Sequence, residues 1–429
     1  MVSETVPGSE AGTRSRIAPF VTAYAVTMFG DRFAEIALPV AVLMATGSPA
    51  SAGAVAASVQ VPGLLIAPFL GHWTDRHSRR SMLVWADAIR ALSFAAFAFL
   101  ATESSADLLP FLVIGAIVGC GNVLFGIAAQ AVLPQLAQGP ALGRANAVLE
   151  AADGVSTLAG PAVAGVAVAR LGAAWGLAAN AVSFVVSGLL LRRYLPRMDP
   201  PGQPGAESPR TMDIGTPRRL ARTLRRRVVE PLSMVVSDRF QSLIQVALMA
   251  LSAHGAALVL AVLVLGQDEL ELSVAQVGLV LSAAGVGGLL VSLVGARFPA
   301  RLNQLWKVAL SLLLSCAAGL TLAMSQSFWW MFVANGMLDA FVTAAFISTA
   351  TVRQARTSNR VMGRVGAASA IANNLARVIG VAGAGVLLAA HGGRVVLVAD
   401  AVMLGVAGLV LMIAGRRSRT PSASIGSPP

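Results

Sequence analysis

The sequence contains little charge and few of the residues that build metal or disulfide sites. Only 12% of its 429 residues are charged, whereas soluble domains carry about 25%. The two cysteines lie inside apolar runs, and the four histidines have no metal-site spacing with cysteines or acids. No glycine-rich loop precedes a Lys-Ser or Lys-Thr pair, and no nucleophile stands at catalytic spacing from a base. We therefore expect no soluble protein, no catalytic residues or enzyme activity, no metal or other cofactor, and no use of ATP.

Long apolar runs make up most of the chain, which is 56% hydrophobic with a mean hydropathy of +0.74. A helix needs about 20 apolar residues to cross a bilayer, and twelve runs reach roughly that length. The first six are 17–45, 50–71, 81–101, 107–134, 145–169 and 173–195. The second six are 240–265, 274–296, 306–324, 328–352, 366–390 and 394–415. The sequence predicts an all-α polytopic membrane protein with twelve transmembrane helices in two six-helix bundles.

A stretch rich in proline, glycine and arginine separates the two sets of spans. We predict an N-terminal bundle at 1–195, a basic cytoplasmic linker at 196–239, a C-terminal bundle at 240–415 and a cytoplasmic tail at 416–429. The second half of the linker is expected to form a basic amphipathic helix on the membrane surface.

The formal net charge of +12 follows from topology. Most basic residues lie in or beside the even-numbered connections and the two tails, whereas the odd-numbered connections contain only Arg170 and Arg394. This bias places both termini in the cytoplasm, and the positive charge needs no nucleic-acid partner. Lys307 is the single lysine, which together with the alanine-rich spans indicates a bacterial inner membrane protein.

The turn between the second and third spans reads GHWTDRHSRR, from Gly71 to Arg80. Gly71 permits two helices to approach closely, and Asp75 is suited to cap a helix or pair with an arginine. Its basic residues are Arg76, Arg79 and Arg80. This turn resembles the signature loop of the major facilitator superfamily, although Ser78 stands where that family usually has its second glycine.

The resemblance implies the major facilitator fold, in which this loop is a cytoplasmic gate that stabilises the outward-facing state. The loop residues that take this role are Gly71, Asp75, Arg76, Arg79 and Arg80. A diluted second copy of the loop, Gly295 to Arg301, lacks the acid, and its position is consistent with two parallel repeats.

A finer resemblance is to exporters of the macrolide-efflux and enterobactin-export type. Three segments carry it: Gly30–Val42, Asp87–Arg90 and GRANAVLE at 143–150. The fifth span is similar to the glycine-proline motif of drug–proton antiporters, with some glycines missing. The matching residues are Gly154, Gly160, Pro161 and Gly165. Such residues give a bendable helix beside a transport pathway, but they also serve helix packing alone.

Asp31 and Glu35 in the first span are four residues apart and therefore share one helix face. Two carboxylates shielded from water suit proton uptake and release, and they also suit binding of a cationic substrate. Arg32 points about 100° away and is able to neutralise a neighbour instead. We predict Asp31 and Glu35 as the coupling residues, against the alternative of a charge network that stiffens helix packing.

The other intramembrane charges divide by their predicted position. Asp87 and Arg90 are expected to pair along their own helix. Glu150 and Asp153 form either a gate ion pair with Arg144 or the signature loop, or a solvated helix end.

The resemblance makes Arg32 of the first half, together with His254, Asp339 and Arg377 of the second half, candidate cavity-lining residues. Asp339 and Arg377 are a possible counter-charge pair, and Asp400 is expected to be structural. His254 alternatively serves as a hydrogen-bonded packing residue.

These patterns predict a secondary active transporter, in which protons re-enter as an amphipathic antibiotic, drug or siderophore is exported by alternating access. The expected partners are the lipid bilayer, the small-molecule substrate and protons, with the proton gradient as energy source and the monomer as functional unit. Metabolite uptake or lipid transport by the same fold, and a membrane sensor that moves nothing, remain alternatives.

Overall fold

The computed structural model describes residues 8–66, 77–103, 107–137, 140–196, 225, 229–294, 304–356 and 359–417. Within these residues every regular element is a helix. The first-half helices are α1 (Gly8–Thr46), α2 (Pro49–Leu65), α3 (Arg79–Leu100), α4 (Leu108–Leu136), α5 (Pro140–Leu171) and α6 (Ala173–Tyr194). The predicted linker falls largely at 197–224 and 226–228, which lie outside the described residues.

The second half begins with a short helix, α7, which packs against α8 and α12. The helices are α7 (Glu230–Ser237), α8 (Arg239–Val264), α9 (Val274–Val294), α10 (Gln304–Ala323), α11 (Phe328–Arg356) and α12 (Asn359–Arg417). A π-helical turn, Leu265–Glu269, continues α8.

The last helix, α12, is two helices joined at Gly392. This glycine has φ of 79°, a conformation that side chains with a Cβ rarely adopt. It lies in the gap between the predicted spans 366–390 and 394–415. Arg394 fixes the turn, because its Nε donates to Glu269 Oε2 at 2.6 Å and its Nη1 donates to the Ala323 carbonyl at 3.1 Å.

The helices confirm the predicted all-α polytopic fold. Among the described residues, nine helices are long and apolar enough to cross a membrane. One of them, Ala368–Gly415, is the broken helix and makes two crossings. The middle of α1 carries Asp31, Arg32 and Glu35, and the described part of α2 has 17 residues, so both fall outside the nine. Together with α1 and α2, the predicted twelve crossings are present.

Two pairs of helices form the main contacts between the halves, α2 with α12 and α5 with α9. Each pair meets at glycines: a Cβ on Gly53 would lie 2.7 Å from the Gly385 Cα, and a Cβ on Gly165 would lie 2.9 Å from the Gly278 Cα. Both contacts lie toward the end of the molecule remote from the two termini, because Gly53 follows the α1–α2 turn and Gly165 precedes the end of α5. Small residues allow such backbone-to-backbone packing in a membrane.

Candidate functional site

Arg32 and Glu35 of α1 and Asp153 of α5 form an ion network within the membrane-crossing part of these helices. Arg32 donates through Nη1 to Glu35 Oε1 at 2.7 Å and through Nη2 to Asp153 Oδ1 at 3.0 Å. The same Nη2 donates to Thr157 Oγ1 at 2.9 Å. Arg32 thus neutralises a neighbour, as one of the two sequence interpretations allowed. Asp153 binds this intramembrane arginine, a partner that neither of the two sequence interpretations of Asp153 named.

The glycine-proline segment of α5 makes room for this network. Gly160 faces Arg32, and a Cβ at residue 160 would lie 2.5 Å from the Arg32 Cβ. Gly154, six residues earlier, has nothing within 4 Å of such a Cβ. The two glycines therefore differ in role, although they belong to the same sequence motif.

The acids of the network are open to an internal space. The Glu35 and Asp153 side chains are 40% and 41% exposed, although they sit at the middle of membrane-crossing helices. Arg377 of α12, in the opposite half, is exposed and feels the charge of Glu35. Glu35 therefore faces the space between the two halves, where Arg32 and two carboxylates of the first half meet the charge of Arg377 from the second half.

Asp31 has different neighbours from Glu35. It interacts with Asn180 of α6, and it lies in the electrostatic field of Arg90. The Asn180 Nδ2 is buried without a hydrogen-bond partner of ordinary geometry, while Ser183 Oγ donates to Asn180 Oδ1 at 3.0 Å. The two carboxylates thus have different bonding partners, Asn180 of α6 for Asp31 and Arg32 of α1 for Glu35, although Asp31 also lies in the electrostatic field of Glu35.

Asp87 and Arg90, both on α3, form an ion pair that is buried against α6 and is called the sealed pair below. Their side chains are 1% and 3% exposed, and Ser187 Oγ of α6 donates to Asp87 Oδ2 at 2.7 Å. The Arg90 guanidinium lies 4.1 Å from the Phe125 ring centroid and 4.2 Å from that of Phe184. Because an arginine keeps its proton at any ordinary pH, this arrangement holds helices together.

The second half pairs its charges differently from the sequence expectation. His254 Nδ1 lies 2.6 Å from Asp400 Oδ2, and both side chains are buried. His254 therefore does not line an open cavity, because α12 covers it. Asp339 is half-buried and accepts a hydrogen bond from Thr343 Oγ1 at 3.4 Å. In the part of the chain that the structure describes, Asp339 and Arg377 form no ion pair.

Only the end of the signature loop belongs to the described residues. Gly71, Asp75 and Arg76 lie outside them. Arg79 is buried at the start of α3, and Arg80 donates to the carbonyl of Arg192 at the end of α6. The gate role of this loop stays a prediction.

Polar residues that sequence analysis passed over also contribute. The Ala162 amide of α5 donates to Ser282 Oγ of α9 at 2.8 Å across the two halves. Thr157 is four residues after Asp153, so their shared helix face was a signal that the sequence offered. Ser282 offered no comparable signal, since its partner is a backbone amide on a distant helix. No group of three or more His, Cys, Asp or Glu side chains among the described residues is placed to hold a metal ion.

Comparison with known proteins identifies the architecture. A family model for the Major Facilitator Superfamily matches residues 20–266 and 246–428. A sequence comparison with curated proteins gives no match.

Three solved structures of similar fold are transporters of low sequence identity. A bacterial homologue of the iron transporter ferroportin, in an inward-facing state, is 16% identical, with a TM-score of 0.70 over 92% of this chain and 98% of that one. The human organic anion transporter MFSD10 is 17% identical, with a TM-score of 0.62 over 95% and 100%. A POT family transporter in complex with 5-aminolevulinic acid is 10% identical, with a TM-score of 0.72 over 94% and 96%.

Proposed function

Because this chain belongs to the Major Facilitator Superfamily, and is a multi-pass membrane transporter and not an enzyme, we propose that it exports an amphipathic small molecule in exchange for protons. The observation that carries this proposal is the open ion network of Arg32, Glu35 and Asp153. A carboxylate in a membrane span is costly unless it has a partner, water or a function. Glu35 has one partner on its own helix, and much of its surface remains open to the space between the halves.

Glu35 supports proton exchange through its contact with Arg32. A proton on the Glu35 carboxyl removes the negative charge that Arg32 binds. Arg32 then keeps one ion pair, with Asp153. A cationic substrate entering from the space between the halves would compete with that proton for the same carboxylate. Proton and substrate then occupy the site in turn, which is the requirement for antiport.

The position of Arg377 links this site to alternating access. Arg377 belongs to the second half but feels the charge of Glu35 in the first. When the halves rock around the site, the distance between Glu35 and Arg377 changes. The free energy needed to keep Glu35 ionised then changes as well, because Arg377 is a cation. If both termini are cytoplasmic, the contacts Gly53–Gly385 and Gly165–Gly278 close the extracytoplasmic end of the space between the halves. Substrate then enters this space from the cytoplasm.

The energy of the proton gradient is sufficient for export. For a neutral cargo, one proton re-entering at each turnover moves one net charge and gains about 2.3 kcal/mol per 100 mV of membrane potential. For a monovalent cationic cargo the one-for-one exchange moves no net charge, so the pH gradient alone drives it. The proposed cargo is an antibiotic, dye or siderophore with a cationic or polar group on an apolar body.

Proton movement in energised inside-out vesicles tests the proposal. The vesicles are challenged with ethidium, a macrolide and a siderophore, and proton release is recorded for each compound. We expect release by at least one compound in the wild type and none in Glu35→Gln. The matched control is Glu103→Gln, which removes the same charge from the exposed α3–α4 connection and should behave as the wild type.

The outcomes separate the alternatives. Unimpaired proton-driven export in Glu35→Gln would exclude Glu35 as the coupling group. Proton movement of the opposite sign would indicate metabolite uptake. Saturable binding of a compound without any flux would indicate a sensor.

A divalent cation is a second candidate cargo, which the surroundings of Asp31 favour. Its carboxylate lies beside Asn180, and Ser183 lies against the same amide. Oxygen ligands of this kind suit hard cations such as Mn²⁺, and one solved structure of similar fold is a homologue of an iron transporter. Mn²⁺ flux in proteoliposomes that Asp31→Asn abolishes, without any dye-induced proton release, would establish this cargo in place of the amphipathic one.

A further inference from the structure

A second ionisable pair lies in the C-terminal half, away from the Arg32 network. His254 is near the middle of α8 and Asp400 is on the second arm of α12. Their Nδ1 and Oδ2 atoms are 2.6 Å apart, and their side chains are 3% and 7% exposed. The helices approach closely here, because a Cβ on Gly380 of α12 would lie 2.8 Å from the Cα of Ala253. The pair is therefore fixed in position by packing.

Asp400 has an unused hydrogen-bonding atom. Its Oδ1 is buried and has no hydrogen-bond partner, which is costly for a carboxylate in an apolar interior. Asp400 lines a crevice of about 200 Å³ between α8 and α12 whose other lining residues are apolar. A buried water needs about 10–15 Å³ and two to four polar partners; the crevice exceeds that volume, but Asp400 is the single polar residue in its lining. Exposed Ile379 and Leu387 border the crevice, and it therefore opens toward the outer surface of the half.

The pair differs in chemistry from the sealed pair of the N-terminal half. In that pair Arg90 is permanently charged, and the second oxygen of Asp87 is bonded to Ser187. His254 is able to lose its proton, because histidine titrates near neutral pH. Loss of that proton leaves Asp400 as a buried carboxylate without a cation, and gain of the proton restores a neutral pair.

The surrounding charges are few. Asp339 on α11 is the other charged group that acts on His254. Asp339 in turn feels the charge of Arg32 in the first half. His254 thus lies between two acids, Asp339 on the side of the first half and Asp400 at the crevice. Among the described residues, neither acid forms an ion pair with an arginine or a lysine.

We propose that His254 and Asp400 together bind one exchangeable proton in the C-terminal half, at a site separate from Glu35 and Arg32. The proton resides on the imidazole as His254⁺ beside the Asp400 carboxylate, and it leaves toward Asp339, the other acid that acts on His254. This site goes beyond the proposed function, because it requires neither Glu35 nor a particular cargo.

Nitrogen-15 NMR of histidine-labelled protein in lipid nanodiscs reads the imidazole charge directly. The His254 signal is assigned by its absence in His254→Gln. We expect an imidazolium signal from His254 in the wild type over about pH 5–8, where free histidine loses its proton, and a neutral signal in its place at higher pH. In Asp400→Asn the amide oxygen still accepts a hydrogen bond from Nδ1, but it offers no charge, so His254 should stay neutral over that range. A neutral His254 throughout in the wild type, or identical behaviour in Asp400→Asn, would overturn the proposal.

A control and a transport measurement complete the test. His391→Gln changes an exposed histidine at the turn of α12 and should leave the His254 transition unaltered. Asp400→Asn should also abolish dye export driven by a pH gradient while retaining dye exchange at equal pH. A purely packing role would leave both kinds of transport intact. If the wild type exports no dye, the proposed function fails while the NMR titration still decides whether this site exists.

Discussion

Arg32 of α1 donates to Asp153 of α5 at 3.0 Å, and this bond connects two helices that the sequence places 121 residues apart. The same guanidinium holds Glu35 at 2.7 Å. One arginine therefore binds two carboxylates that are open to the space between the halves. The following predictions depend on this contact and on the packing around it.

Replacing Arg32 tests the network directly. Arg32→Ala leaves Glu35 and Asp153 without their cation, and we expect the free energy of unfolding to fall by about 1–2 kcal/mol, since the groups are partly exposed. Proton-driven export should be lost. Arg32→Lys keeps the charge but not the forked geometry, and it should recover most of the stability and only part of the export. Thermal unfolding in detergent measures the stability, and vesicle transport measures the export. Equal export by Arg32→Lys and the wild type would show that the positive charge alone, without the forked geometry, suffices for export.

Two glycines of α5 provide a matched pair. In Gly160→Ala the new Cβ meets the Arg32 side chain, and we expect a loss of about 1–3 kcal/mol from overpacking, together with reduced export. In Gly154→Ala the new Cβ meets nothing, so the helix should gain up to about 1 kcal/mol. Thermal unfolding of both variants gives the sign of each effect. Equal shifts would contradict the assigned role of Gly160.

The contact between Gly53 and Gly385 should control which state the transporter occupies. Gly53→Val places side-chain atoms where the two backbones meet, so the end remote from the termini should be forced apart. Solvent labelling of a single cysteine at Ser51, near the start of α2, should become faster in this variant. Gly126→Val in α4 is the control, because a Cβ at residue 126 meets nothing within 4 Å, and it should leave the labelling rate unchanged.

The sealed pair of Asp87 and Arg90 should affect stability more than coupling. Asp87→Asn leaves Arg90 buried without its counter-charge, and we expect a loss of about 3–5 kcal/mol. Ser187→Ala removes one hydrogen bond to a charged group and should cost about 1.5–3 kcal/mol. Ser187→Ala protein that remains folded should keep its proton-to-cargo coupling. A folded variant with uncoupled transport would assign this pair a role in proton movement.

The site divides into parts that the sequence revealed and parts that it did not. Asp87 and Arg90 stand one helical turn apart, so their pairing followed from spacing on one helix. Spacing on one helix also indicated the Arg32–Glu35 contact, as the alternative to Asp31 and Glu35 acting together as coupling residues. Spacing carried no information on the Arg32–Asp153 contact, because helices distant in sequence meet only after the bundle has formed.

His254 shows the limit most clearly. A lone histidine in an apolar run is compatible with a cavity wall, a packing residue or a titrating pair. Its partner, Asp400, lies 146 residues away, and the sequence analysis expected only a structural role for it. The break at Gly392 returns the second arm of α12 to α8, and only that return brings the carboxylate to the imidazole.

The sequence by itself determined the membrane environment, the number of crossings and the all-helical fold, because the bilayer leaves backbone groups no partner except their own helix. It also determined which charges lie within the membrane. The tertiary structure decided which of those charges meet, which of them remain open to the space between the halves, and where the two halves touch. Those properties depend on helix packing at glycines such as Gly160 and Gly380, where the absence of a side chain sets the distance between helices.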